Sequence, residues 1–96
     1  SNGRWFHSKK EADYADGLDM RKVANDLSFY LEQVPLRLPG GVVYRIDFIE
    51  FSQIENTSLF EVSFVEVKPS GKFRVRAGED KRKIAEAMLK IHIEVV

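Results

Sequence analysis

The sequence predicts an α+β or α/β fold, a mixed sheet flanked by helices, in the order helix, three strands, helix, strand. Three observations lead there. A capping signature opens a helical stretch at the amino-terminal end, and Ile84, Ala85, Met88 and Leu89 have helical spacing near the other end. Between them lie three segments in which apolar and polar residues alternate, each bounded by turn residues. A short apolar segment, Ile91 to Val96, closes the chain as a further strand. Helices alternating with strands in this way bury their apolar faces as layers around one sheet.

Each element has its own reason. Ser8-Lys9-Lys10-Glu11 reads as a capping box, with Ser8 at the N-cap and Glu11 reaching back from N3, so the first helix should run to about Ala24 despite Gly17. Phe29, Leu31, Val34, Leu36 and Leu38 sit in an extended stretch closed by Pro39-Gly40-Gly41, and Pro35 makes it an edge strand or a broken one. In the next strand, Val42 to Phe51, simple alternation puts Tyr44, Ile46 and Phe48 on one face and Arg45, Asp47 and Ile49 on the other. After a polar turn from Ser52 to Ser58, Leu59 to Lys68 alternates again, with Glu66 and Lys68 on one side. From Pro69-Ser70-Gly71 the chain is basic and extended, and the second helix is expected over Glu79 to Leu89, with Gly78 near its start.

Ninety-six residues, 44% hydrophobic and 11% aromatic, make one folded domain over 1–96 with one modest core. Ser1-Asn2-Gly3, without a methionine, reads as an expression-tag remnant, which leaves room for natural sequence upstream. The absence of cysteine excludes disulfides and thiolate metal sites and fits a reducing, intracellular setting. No apolar run approaches the ~20 residues that span a bilayer, so no membrane partner is expected. Net charge is zero, but it is unevenly spread. From Lys68 to Lys90 eight bases face three acids, so this stretch is +5 and the remainder −5. One reading is a pair of solvated charged surfaces. The other is a face for phosphates beside a face that gathers carboxylates.

Asp47 lies inside an apolar strand, and Phe64-Val65-Glu66-Val67-Lys68 ends the next one. A charge among strand hydrophobics must face solvent, find a partner or bind a metal, because burying it unpaired is costly. Were the two strands neighbours, Asp47 would meet Glu66 across the ladder within about 5 Å. Two carboxylates so close repel, and a divalent cation relieves them. Oxygen donors alone favour Mg²⁺ or Mn²⁺ over Zn²⁺. Such a cation could polarise a phosphodiester and activate water, with the Lys68 ammonium one side-chain length away. Taken alone, a Glu-x-Lys pair is equally an amphipathic strand's surface ion pair.

The segments FHSKKEADYADGLD, LEQVPLRL, YRIDF and FVEVKPS, ending in IEVV, resemble a family of short phage and prophage proteins of uncharacterised role, placed in the PD-(D/E)XK nuclease superfamily. The run EQVPLRLPGGVVYRIDF, with FVEVKP after it, also resembles the amino-terminal nuclease domain of the endonuclease subunit of heteromeric transposases. The resemblance implies a restriction-endonuclease-like core in which Asp47, Glu66 and Lys68 take the superfamily's Asp, Glu and Lys positions. It puts Glu11 at the frequent fourth acid, although the capping box also accounts for that residue, and it sets Gln33 near the site, where a strand-edge polar residue is the plainer reading. Ile46 stands where the superfamily has Pro, and Pro69-Ser70-Gly71-Lys72 departs from the family's loop after the Lys. The implied activity is Mg²⁺- or Mn²⁺-dependent hydrolysis of DNA by an endonuclease, on branched or replication-derived structures, in the cytoplasm of a bacterial host. Asp47, Glu66 and Glu11 are the expected metal ligands. Lys72, Arg74, Arg76, Lys81, Arg82 and Lys83 are candidates for holding phosphates. A homodimer is expected where both strands must be cut, since one small domain cuts one strand. The competing class is a non-catalytic module that keeps the nuclease fold as a DNA or protein adaptor.

Overall fold

The structure, a computed structural model, describes residues 9–68 and 79–96, and the backbone alone for 76–78. Helix α1 spans Lys9–Val23 and buries Glu11, Ala15 and Leu18, positions that share one helical stripe. It ends in a Schellman motif. Asn25 is left-handed (φ 65°), the Asp26 N–H donates to the Arg21 carbonyl at 2.9 Å, and the Asn25 N–H donates to that of Lys22 at 3.1 Å. Strand β1 covers Phe29–Leu38, and a 3₁₀ turn over Pro39–Gly41 leads into β2, Val42–Gln53. That turn adds to the expected order of elements. It needs glycine, because Gly40 and Gly41 both take positive φ. Strand β3 is Phe60–Glu66, helix α2 is Arg76–Leu89 and strand β4 is Ile93–Val95.

The strands form one mixed sheet in the order β1-β2-β3-β4, with β1, β2 and β3 antiparallel and β4 parallel to β3. A parallel return needs a long crossover, and α2 supplies it. Of the two outcomes that Pro35 allowed, an edge strand or a broken one, β1 takes the edge position. The second helix starts at Arg76, earlier than expected, so Gly78 falls within its first turn. First-turn amides lack intrahelical partners in any case, and a glycine disturbs little there. The expected Ser8 cap and the loop from Pro69 to Lys72 lie outside the described residues. Among those described, no helix is long and apolar enough to cross a membrane.

The core has two halves, one on each face of the sheet. On the first, Ala15 and Leu18 of α1 pack with Leu27, Phe48, Val65 and Val67. On the second, Ala85 of α2 packs with Leu38, Tyr44, Ile46, Ile49 and Ile93. The apolar face expected on α2 is therefore mostly outward: Ile84, Met88 and Leu89 are more than two-fifths exposed. Arg82 and Glu86 flank Ala85 on the sheet-facing stripe and turn the neighbouring apolar residues partly to solvent. Phe48 is fully buried, with the Tyr14 and Tyr30 rings at 5.0 and 6.0 Å. Phe48→Ala should cost about 3–5 kcal/mol, read from urea melts. A loss below about 1 kcal/mol would show that this half of the core does not hold the domain together.

One expectation is overturned here. Ile46 and Ile49 join the α2-side cluster while Phe48 joins the α1 side, so strict alternation fails between them. The break lies at Asp47 and at its opposite number on β1, Gln33. The pairs Glu32↔Phe48 and Val34↔Ile46 flank this position, yet Gln33 and Asp47 themselves are not paired. Gln33 is left-handed there (φ 53°), and both strands change phase at this step: Tyr30 and Phe48 pack on the α1 side, Val34 and Ile46 on the α2 side.

Candidate functional site

The β2–β3 ladder ends at Phe48↔Val65. One step further in the same register would set Asp47 opposite Glu66, but the strands have begun to part. The Asp47 carboxylate enters the gap and accepts the Val67 N–H at 2.8 Å, in place of a ladder bond. On its other side lies Glu11, which α1 buries to 4% exposure. Burial above all, then a hydrogen bond with Glu11, pushes the Asp47 carboxyl up to about 8, against the lowering influence of the Val67 N–H. The charges of Glu11 and Glu66 add to that rise. Glu11 thus faces the sheet, on the stripe shared with Ala15 and Leu18, a placement its capping role would not require.

Gln33 reaches the same spot. Its Nε2 donates to Glu11 Oε1 at 3.4 Å and to Asp47 Oδ1 at 3.5 Å. A left-handed non-glycine residue costs on the order of 1 kcal/mol and persists only where its surroundings over-determine it. Gln33 is therefore a member of the acidic centre rather than a polar residue at a strand edge.

Glu66 is held differently. The Tyr44 hydroxyl donates to Glu66 Oε1 at 2.7 Å, and Arg82 Nε lies 3.9 Å from Oε2, an ion-pair distance too long for a hydrogen bond. Burial, then the bond to Glu66, pushes the Tyr44 hydroxyl well above its ordinary value. Asp47 thus reaches toward α1 and Glu66 toward α2, where the sequence suggested that both carboxylates and Lys68 would share one face. Twist at Asp47 accounts for the difference. Lys68 follows β3 with its backbone still extended: its N–H donates to the Val96 carbonyl, and the Val96 N–H donates to that of Glu66. Alternation through this stretch gives half-buried Lys68 the Glu66 side of the sheet.

Arg82, expected to hold phosphate, is turned inward. Its side chain is 18% exposed, and its Nη1 donates to Glu86 Oε1 at 3.1 Å. Glu86 in turn accepts the Ile93 N–H at 2.9 Å and ties α2 to β4. Lys83 is exposed on α2 and Lys81 half-buried. Lys72, Arg74 and the Arg76 side chain lie outside the described residues. Sequence reasoning missed Tyr44 as a partner of Glu66 and missed Glu50, a buried carboxylate that accepts from the Tyr14 hydroxyl and from Arg21 Nη1 at 2.8 Å. Only the recurrence of Tyr14 and Arg21 at i and i+7 on α1 signalled it. This clamp fixes the rotation of α1 about its axis and with it the position of Glu11.

Of the three expected metal ligands the structure brings two together, Glu11 and Asp47, and turns the third, Glu66, away. Glu11 and Asp47 meet at the gap between the strands, a proton raised to the neutral range occupies the position that a cation would relieve, and every donor is oxygen. Gln33 Oε1 is buried there without a hydrogen-bond partner. Among the described residues no three acidic or histidine side chains close on one point, because Glu66 is turned to Tyr44 and Arg82. No family model matches the chain, and no curated protein or solved structure matches it.

Proposed function

We propose that this domain is a metal-dependent endonuclease of the PD-(D/E)XK type, hydrolysing DNA phosphodiester bonds, with branched or replication and recombination intermediates of a phage as its substrate class. The observation that carries the reading is the meeting of Glu11 and Asp47 where β2 and β3 part, one register step from Glu66 and beside the strand end that bears Lys68. Asp47, Glu11 and Glu66 would hold Mg²⁺ or Mn²⁺, which when bound polarises a phosphate and lowers the pKa of water.

The chain's own groups do the rest. Asp47 is fixed by the Val67 N–H, so its carboxylate needs no reorganisation to serve as a ligand. Tyr44 and Arg82 hold Glu66 on the other side of the gap, and Glu66 must leave one of them to join Asp47. Lys68, on the Glu66 side of the sheet, would offer its ammonium to the charge that develops on the phosphate once Glu66 has joined Asp47 at the gap. Lys81, Lys83 and the basic stretch before them supply the positive field that DNA requires. Cutting both strands calls for a second copy of the domain.

A second reading, an adaptor that binds nucleic acid or protein without cutting, is favoured by one observation: Glu66 is already engaged by Tyr44 and Arg82. Plasmid, single-stranded, flap and four-way-junction DNA, each incubated with Mg²⁺, Mn²⁺ or EDTA, separates the two. Cleavage of at least one substrate with metal and none with EDTA is expected. Binding without cleavage of any of them would leave the adaptor.

A further inference from the structure

We propose that Gln33 is a ligand of the cation, its amide oxygen entering the coordination sphere beside Glu11 and Asp47; this rests on the metal-dependent reading above. Three independent features of Gln33 meet at the site. Its amide touches both carboxylates, with Nε2 at 3.4 Å from Glu11 Oε1 and 3.5 Å from Asp47 Oδ1. Its Oε1 is buried and accepts no hydrogen bond. Its backbone is left-handed in the middle of a strand, at the one step where the β1–β2 pairing is interrupted, opposite Asp47.

An amide has two faces of opposite polarity on a single bond. In this structure the NH₂ end lies between the two carboxylates, and its partial positive charge stands where a cation would. Turning the amide about its last bond exchanges nitrogen for oxygen in that position. The oxygen now without a partner then becomes a neutral donor, of the kind that hard cations accept from Asn and Gln side chains. Both orientations use one backbone position, so the left-handed twist serves both states. A neutral ligand also completes a donor set without adding a fourth negative charge to Glu11, Asp47 and Glu66.

The experiment is a Mn²⁺ titration without DNA, following free Mn²⁺ by electron paramagnetic resonance and the rise in Tm in parallel. The proteins are wild type, Gln33→Met, Gln33→Ala and Gln33→Glu. Methionine keeps the length of the side chain and loses the oxygen, and alanine repeats the test with less bulk. Both should weaken Mn²⁺ binding at least about tenfold, the range seen when groups around a metal are removed. Glutamate restores an oxygen but removes the NH₂ donor, so it should bind Mn²⁺ at wild-type strength or tighter. Wild-type binding by the Met and Ala variants would overturn the assignment. So would a Glu variant as weak as the Met variant, since the amide would then act only by donating hydrogen bonds. A wild-type domain that binds no Mn²⁺ at millimolar concentration would remove the metal reading itself, and the assignment with it.

Discussion

Asp47→Asn should make the metal-free domain more stable at neutral and mildly alkaline pH while abolishing cleavage. The wild-type carboxyl titrates at about 8 in the folded state, mainly through burial and then through Glu11, against 3.8 ordinarily. Below about pH 4 it is protonated whether folded or not, and the acid form's contribution to stability is fully present. Between about pH 4 and pH 8 the unfolded chain gives up this proton and the folded chain keeps it, so stability falls as pH rises. The limiting slope is about 1.4 kcal/mol per pH unit. Asp47 is not fully buried, and solvent screening reduces the total to on the order of 2 kcal/mol by pH 8. Asparagine can donate to Glu11 and accept from Val67 without titrating, so its stability should be flat over this window. Urea melts of both proteins at pH 5 and pH 8 measure the difference. Mg²⁺ should narrow the gap by binding only the wild type. Parallel wild-type and Asn curves from pH 5 to pH 8 would show that the Asp47–Glu11 pair carries no such strain.

Lys68→Ala is expected to lower the cleavage rate about 10²–10³-fold and to leave DNA affinity almost unchanged. An ammonium aimed at charge that appears only in the transition state contributes there and little to the ground state. Lys83, exposed on α2, should behave in the opposite way. Its removal should weaken binding and reduce the salt dependence by about one unit of slope, with the rate at saturating DNA preserved. Arg82 does not serve as a comparator, since it is committed to Glu66 and Glu86. Binding and single-turnover cleavage on one substrate, at one salt concentration, provide both quantities. A Lys68→Ala protein that cuts at the wild-type rate would take Lys68 out of the chemistry.

The run of elements was readable because each strand carries its own alternation and the junctions between strands their own turn chemistry: Pro39-Gly40-Gly41 before β2 and the polar Ser52 to Ser58 before β3. The register that runs toward Asp47 and Glu66 also follows once the two strands are taken as neighbours, but the ladder ends one step short of them, at Phe48↔Val65. The twist at Gln33 and Asp47 was hidden, because two polar residues facing each other in a strand pair leave no mark on an apolar pattern. That twist reverses the face assignment of every β2 residue after it. The inward turn of Arg82 was equally opaque within a basic run. Only its spacing from Glu86, four residues on, hinted that it had a partner along the helix. The convergence of α1 on β2 is a tertiary fact, and the capping box offered a complete local account of Glu11 without it.

The backbone of β1 also bears on how these molecules meet one another. A long outermost strand is ordinarily a template on which another chain can build, through its row of unpaired amides and carbonyls. Here that row is interrupted twice within ten residues. Gln33, left-handed, turns its neighbouring peptide groups out of line, and Pro35, two positions on, has no N–H to offer. An incoming strand finds Phe29 to Glu32 on one side of the break and Leu36 to Leu38 on the other, and no continuous row along the whole strand. The conformation that delivers an amide to a pair of acids therefore also breaks up this edge of the sheet as a template for another chain.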